Sequence, residues 1–142
     1  MADNPDVLDG LARHLAARNL VDYDPTGVSG DCFIESLPSA PDQCVVLAVY
    51  DDGAEPDSRI GYDEVPVQVR VRGTTDPRVS RTRANALRSE LHGLGPVTLP
   101  DGTGLLLAVA RTVAGLGVDD NRRHEHVFNA RLRVRSVTAH RV

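Results

Sequence analysis

The stretch from Val65 to Arg72 reads Val-Pro-Val-Gln-Val-Arg-Val-Arg. A valine stands at every second position, and proline, glutamine or arginine stands between. Since successive side chains of an extended strand point to opposite faces, this alternation predicts a strand with one apolar and one polar face. A second stretch near the end repeats the pattern, because Phe128, Ala130, Leu132 and Val134 alternate with Asn129, Arg131, Arg133 and Arg135. Two such strands predict a sheet that packs on a core at one face and is charged at the other.

Two segments have the spacing and the end signals of helices. Asn4 followed by Pro5 is typical of a helix N-terminus, and apolar residues at helical spacing then predict a helix over residues 5–19. Asp76 followed by proline predicts the start of a second helix, which Gly93 ends.

The remaining apolar segments predict further strands. Short strands are expected over 32–36 and 97–99, and the last strand over 127–137. Segments 43–50 and 104–113 are apolar at both odd and even positions, which is typical of strands covered on both faces. The dipeptide Asp101-Gly102 predicts a tight turn between two of these strands, whereas 51–64 and 115–126 are expected to be loops, the first of them acidic.

This order of elements predicts an α+β fold, in which a single mixed, mostly antiparallel β-sheet carries two helices on one face. The length favours one domain over residues 1–142. Two helices on one face leave apolar groups of 43–50 and 104–113 uncovered on the other. Because exposed apolar patches mark interfaces, the pattern predicts self-association.

Composition limits the classes of partner. The formal net charge of −4 argues against general affinity for a polyanion. All sixteen basic residues are arginine, a bias that a GC-rich genome would also produce. The N-terminus lacks a signal-peptide pattern and no segment is long and apolar enough for a membrane span, so a cytoplasmic protein is expected. Cys32 and Cys44 are expected to be buried, unpaired thiols.

No motif indicates catalysis. His124-Glu125-His126 would place two imidazoles on one face of a strand, but no third ligand is evident, so no metal site is predicted. Gly102-Thr103-Gly104 follows a turn signal and indicates a hairpin. No placed Ser, His and Asp set and no carboxylate pair with divided pKa values is evident. We therefore expect no enzyme, no catalytic residue and no cofactor.

The arginine faces of the two patterned strands allow three interpretations. They form a solvated face with scattered acidic partners, they pair with an acidic surface of another subunit, or they contact a nucleic-acid backbone. If the two strands are neighbours, Arg70 and Arg72 would lie beside Arg131, Arg133 and Arg135, which is unfavourable unless carboxylates intervene.

Three segments together resemble a known family. They are the strand–turn–strand segment from Asp31 to Val45 with Leu37-Pro38-Ser39-Ala40-Pro41-Asp42 at its turn, the strand Val67–Arg72, and the closing loop and strand from Leu116 through Asn129. The chain resembles the minor capsid or tail terminator proteins of tailed bacteriophages of high-GC actinobacteria. Its closing loop departs from the family, which tends to read Asp-x-Asn-Gly-Arg where this chain has Asp119-Asp120-Asn121-Arg122-Arg123.

The resemblance implies a non-catalytic virion protein that is assembled in the host cytoplasm. Such proteins form a closed homo-oligomeric ring, usually a hexamer, that ends the tail tube and joins it to the head–tail connector or stopper protein. Their other partners would be the tail tube protein and DNA that passes through the lumen. Two alternatives stay open: another head–tail joining, tail completion or tail tube protein, and a small enzyme or nucleic-acid-binding module.

A closed ring needs two different surfaces that meet between neighbouring copies. The sequence offers an acidic loop and arginine faces, and the hypothesis is that they meet across the subunit boundary. The predicted interface residues are Asp51, Asp52, Glu55, Asp57, Arg70, Arg72, Arg131 and Arg133.

Overall fold

The computed structural model describes residues 6–142 as two helices and seven strands. In chain order they are α1 (Val7–Ala17), β1 (Cys32–Ile34), β2 (Cys44–Val49), β3 (Tyr62–Arg72), α2 (Pro77–Leu91), β4 (Val97–Thr98), β5 (Gly104–Ala110), β6 (Ala114–Val118) and β7 (His124–Arg135). No helix among these residues has both the length and the apolar character needed to cross a bilayer.

The helix ends follow from side-chain capping. Asp6 caps α1, because its carboxylate accepts a hydrogen bond from the backbone N–H of Asp9. The predicted cap Asn4 and first helical residue Pro5 lie outside the described residues. Asp76 caps α2 as predicted, and Gly93, at φ +85°, follows the helix in the left-handed conformation that glycine favours.

The strands form one sheet in the order β1-β2-β3-β7-β5-β4, and β6 pairs with the remaining length of β7. β1 and β2 are parallel and every other pair is antiparallel, so the predicted mixed, mostly antiparallel sheet is confirmed. The sheet curls into a half-barrel.

The core lies between the inner face of this sheet and both helices. Leu11 and Leu15 of α1 and Leu87 and Leu91 of α2 are fully buried against the inner strands. The alternation read from the sequence is also confirmed, because the predicted apolar positions of β3 and β7 are buried in that core: Val67, Val69, Val71, Phe128, Ala130, Leu132 and Val134.

Three predicted boundaries are wrong. β3 begins at Tyr62 rather than Val65, so Asp63 and Glu64 belong to a strand and not to the acidic loop. Segment 115–126 is not a loop, because β6 covers 114–118 and β7 begins at His124. β6 was missed because two glycines interrupt any alternation, and a register shift between Gly115 and Gly117 breaks the pairing.

The prediction that 43–50 is covered on both faces holds only for its first half. Cys44 and Val46 are buried although they lie on the outer face, whereas Val49 is 42% exposed. Val109 of β5 lies opposite Arg131 on the outer face and is 45% exposed. Cys32 and Cys44 are buried free thiols, as expected.

The sheet divides into two ends that differ in how their edges are treated. We call the first the open end; it consists of β1, β2, residues 67–72 of β3, residues 125–130 of β7, and β6. The closed end consists of residues 62–66 of β3, residues 131–135 of β7, β5 and β4. β7 runs through both ends and pairs with β6 in one and with β5 in the other.

Candidate functional site

The outer face of the closed end carries a cluster of ionised side chains. Arg131 and Arg133 both point outward from β7, because they are two residues apart on one strand. Glu64 of β3 lies opposite Arg133 and pairs with both arginines. Its carboxylate oxygens accept from Arg131 Nη1 at 2.9 Å and from Arg133 Nη2 at 3.1 Å. Asp52, from the loop before β3, also pairs with Arg131.

A pocket of about 330 Å³ lies beside this cluster. Its apolar part is formed by Pro56, Ile60 and Tyr62. Ile60 and Tyr62 are each about half exposed. Its rim carries five carboxylates, those of Asp52, Glu55, Asp57, Asp63 and Glu64, against the guanidinium groups of Arg131 and Arg133. The excess of carboxylates gives this surface a negative character.

Three carboxylates of this surface, those of Asp57, Asp63 and Glu64, are stabilised in their ionised form. The hydrogen bond from Arg131 lowers the pKa of Glu64, and that from Arg141 lowers the pKa of Asp63. Backbone N–H groups of Ile60 and Arg59 lower the pKa of Asp57. Because a general acid needs a carboxyl that stays protonated near neutral pH, these groups are suited to ionic contact rather than to proton transfer.

The other two predicted arginines lie at the open end and are engaged within the chain. Arg70 makes a bidentate ion pair with Glu125, in which Nε donates to Oε1 at 3.0 Å and Nη2 donates to Oε2 at 2.9 Å. Arg72 is buried, and its guanidinium donates to the backbone carbonyls of Asp42 at 2.9 Å and Pro41 at 2.7 Å. Arg72 therefore fixes the turn before β2 to the sheet.

The expected crowding of arginines across β3 and β7 is wrong. The antiparallel register places Arg131 opposite Pro66 and Arg133 opposite Glu64, while Arg70 lies opposite Val127. Positive side chains of the two strands are thus at opposite ends of the sheet. Glu64 and Glu125 supply the intervening carboxylates that like charges on one face require.

The acidic residues of the loop before β3 have different contacts. Asp51 accepts a hydrogen bond from the backbone N–H of Gly53 at 2.8 Å, and Asp57 accepts from those of Arg59 and Ile60. Glu55 is exposed on the pocket rim. The structure therefore brings Asp52, Glu55 and Asp57 to the surface that holds Arg131 and Arg133. The contact of these residues with a second subunit stays a prediction.

Sequence reasoning missed four residues of these networks. Glu64 and Asp63 were assigned to the loop, because Asp63 stands where an apolar residue would continue the alternation back from Val65. Arg141 pairs with Asp63 through Nη1 at 2.8 Å and Nη2 at 2.9 Å, a contact across 78 positions that no local pattern signals. Glu125, the partner of Arg70, was considered only as the centre of the histidine motif.

One histidine of the His124-Glu125-His126 motif packs between β7 and α2. His126 points into the buried side of β7, where its Nδ1 lies 2.7 Å from Ser80 Oγ of α2. Burial lowers the pKa of His126, so the imidazole is neutral at physiological pH. Within residues 6–142, no group of three or more His, Cys, Asp or Glu side chains is arranged to hold a metal ion.

The chain matches a model of a known protein family. A family model described as "Bacteriophage tail terminator protein" matches residues 14–135, which span both ends of the sheet and all of the ionic clusters above except Arg141. No curated protein matches the chain.

Proposed function

The chain belongs to the bacteriophage tail terminator family and is a structural protein of the phage tail, and on that premise we propose that it forms a closed ring that ends the tail tube. The ring joins the tube to the head–tail connector and is most simply a hexamer, and DNA passes through its lumen. The observation that carries this proposal is the family match over 122 consecutive positions, residues 14–135.

The distribution of charge supports a structural role. The clusters of the outer face are ion pairs between carboxylate and guanidinium groups, and the net charge of −4 does not favour tight binding of DNA. A lumen that lets DNA pass requires weak contacts. A protein with this surface is suited to meet other proteins through complementary charges.

The predicted interface residues belong to this proposal. Within it, a neighbouring subunit can reach Arg131 and Arg133, whose side chains are 46% and 54% exposed. It can also reach the exposed acidic residues Asp51, Asp52, Glu55 and Asp57. Arg72 is buried, so it supports the interface by holding the 38–42 turn in place. Arg70 contributes through the shape and charge of the surface it stabilises.

Native mass spectrometry of the purified protein tests the proposal. The expected result is one closed oligomer of defined mass, which electron microscopy shows as a ring and which caps purified tail tubes. The double variant Glu55→Arg with Arg133→Glu is expected to lower the ring fraction, whereas the control Arg13→Glu on α1 leaves it unchanged. A protein that stays monomeric at every concentration, alone and with tail tubes, would overturn the proposal.

A further inference from the structure

The two outer strands of the open end, β6 and β1, are linked across the sheet by an unbroken series of paired residues. The registers place Phe33 opposite Val46, Val46 opposite Arg70, Arg70 opposite Val127, and Val127 opposite Ala114. A strand added to either edge would therefore extend the same set of hydrogen-bonded strands. At the closed end, by contrast, the tail after β7 binds the start of β3. The N–H of Gly61, just before the strand, donates to the Val142 carbonyl at 2.9 Å, and Arg141 Nη2 donates to the Tyr62 carbonyl at 2.9 Å.

The β6 edge lacks charge and proline, two of the usual protections against strand addition, although the strand is short and has a register shift between Gly115 and Gly117. All five residues of β6 are exposed, and the strand contains neither a charged residue nor proline. Leu116 and Val118 are 50% and 54% exposed. Natural proteins normally block such an edge with charge, proline or a covering segment, so an uncharged edge on an assembly protein indicates that another strand covers it.

The backbone of Val118 faces away from the sheet. Val118 pairs with His124, and His124 directs its own backbone groups to the other side, where its N–H donates to Thr74 and its carbonyl accepts from Gly73, both at 2.9 Å. In an antiparallel pair, opposite residues either both face each other or both face outward. The N–H and carbonyl of Val118 therefore point to the free edge.

The β1 edge is open at Ile34. The N–H of Val45 donates to Asp31 and that of Glu35 to Leu47, so the parallel pairing turns the backbone groups of Phe33 towards β2 and those of Ile34 away from it. The segment before β1 covers its beginning, since the N–H of Cys32 donates to the carbonyl of Asp22 at 3.2 Å. Phe33 and Ile34 have β2 on one side and no paired strand on the other among residues 6–142.

The charges near the two edges are complementary. Residues 20–35 contain four carboxylates and no cationic side chain, and only Asp31 has an arginine partner, Arg83. Asp22 and Glu35 are exposed. Beside β6, Arg111 and Arg122 are exposed, and neither has a carboxylate partner within the described part of the chain. Asp120 is the one exposed acid next to them.

We propose that β6 of one copy adds to the β1 edge of the next copy, so that the sheets of neighbouring subunits join into one continuous sheet around the ring. This inference rests on the proposed ring and names its junction. Arg111 and Arg122 then face Asp22 and Glu35 of the neighbour. Because β6 meets a different strand, the contact is heterologous, which is the kind of contact that closes into a ring.

Two variants at Val118 test the backbone contact. Val118→Pro removes an N–H that β6 does not use within its own chain, so the monomer stays folded and ring assembly requires at least tenfold more protein. Val118→Thr keeps the N–H and the strand preference, so it assembles nearly as the wild type does. Circular dichroism shows that both variants are folded, and native mass spectrometry measures assembly. A folded Val118→Pro protein with the wild-type ring fraction would overturn the proposal.

A mixing experiment tests which edge of the neighbouring copy β6 binds. The variant Asp22→Arg with Glu35→Arg has a damaged β1 edge and an intact β6 edge, and Val118→Pro has the reverse. At the lowest concentration at which the wild type assembles, each variant alone is expected to be monomeric, and an equimolar mixture gives a heterodimer but no ring. Dimers of the Asp22→Arg, Glu35→Arg variant alone would indicate β6 pairing with β6 and would overturn the proposal, as would a mixture without heterodimer.

The same measurements separate the two proposals. Wild-type protein that forms no closed oligomer contradicts the proposed function and, with it, this junction. A wild-type ring that survives Val118→Pro contradicts only the junction.

Discussion

The closed and open ends of the sheet differ in how their charged side chains and their backbone edges find partners. At the closed end, Glu64 and Asp52 neutralise Arg131 and Arg133, and the chain's own tail binds the start of β3 at Gly61 and Tyr62. At the open end, Arg70 and Arg72 are paired internally, whereas the outer edges of β6 and β1 have no paired strand among residues 6–142. The most highly charged surface is therefore not the one that lacks partners. The backbone N–H and carbonyl groups that remain available for hydrogen bonds lie along β6, a strand without charged side chains.

The largest expected effect tests whether the two ends share one core. Phe128 lies on β7 at the open end and Leu132 at the closed end, and both are fully buried. Phe128→Ala and Leu132→Ala are each expected to lower the free energy of unfolding by about 3 to 4 kcal/mol, from lost transfer energy and a residual cavity. Urea denaturation measures the change.

The exposed Val109 provides the control for this pair. Val109→Ala is expected to change the free energy of unfolding by less than about 0.5 kcal/mol. A small loss in the free energy of unfolding for either Phe128→Ala or Leu132→Ala would show that the core is loosely packed at that end. The two ends of the sheet would then differ in core packing as well as in their edges.

A smaller effect separates the ionic networks of the two ends. Arg70 pairs with Glu125, whose side chain is only 7% exposed, whereas the side chains of Arg133 and Glu64 are 54% and 42% exposed. Arg70→Met leaves a buried carboxylate without its cation and is expected to cost about 2 kcal/mol. Arg133→Met removes a solvent-screened pair and is expected to cost less than about 0.5 kcal/mol. Equal losses in urea denaturation would contradict this distinction.

The smallest effect concerns the pH dependence of the closed end. Arg141 lowers the pKa of Asp63 in the folded protein below its ordinary value near 4. The carboxylate therefore stabilises the fold fully above the unfolded-state pKa, and this contribution is lost as pH falls through the folded-state pKa. Asp63→Asn is expected to cost about 1 kcal/mol at pH 7, and the difference from wild type shrinks below pH 4, near the ordinary pKa of an aspartate.

Thermal or urea unfolding between pH 2 and pH 7 measures this dependence. Glu55→Gln is the matched control, because Glu55 is exposed and makes no hydrogen bond within the described residues. Its stability is expected to follow the wild type at every pH. A difference between wild type and Asp63→Asn that is constant across the range would contradict an ionic role for the pair.

The elements that could be predicted are those with strong local periodicity. The alternation of β3 and β7, the Asp76 cap of α2 and the Asp101-Gly102 turn each depend on neighbouring residues, and each is confirmed. β6 has no such pattern, because glycine carries no side chain and a strand exposed on both faces needs no alternation. The predicted polar loop over 115–126 was wrong for that reason.

The candidate interface was predicted in part. Placing Asp52, Glu55 and Asp57 near Arg131 and Arg133 follows from an acidic loop that leads into a strand paired with an arginine-bearing strand. The positions of Arg70 and Arg72 could not be obtained in this way, since their partners, Glu125 and the Asp42 carbonyl, are 55 and 30 positions away.

By itself, the sequence determined the periodic elements, the apolar face that they bury and the resemblance to a tail terminator, because each depends on residue types at short and fixed spacing. Only the tertiary structure decided the register between β3 and β7, and with it which charges neutralise one another and which backbone edges stay free. A one-residue change of register would send every side chain of a strand to the opposite face. These properties therefore arise from contacts between distant segments, which only the assembled sheet specifies.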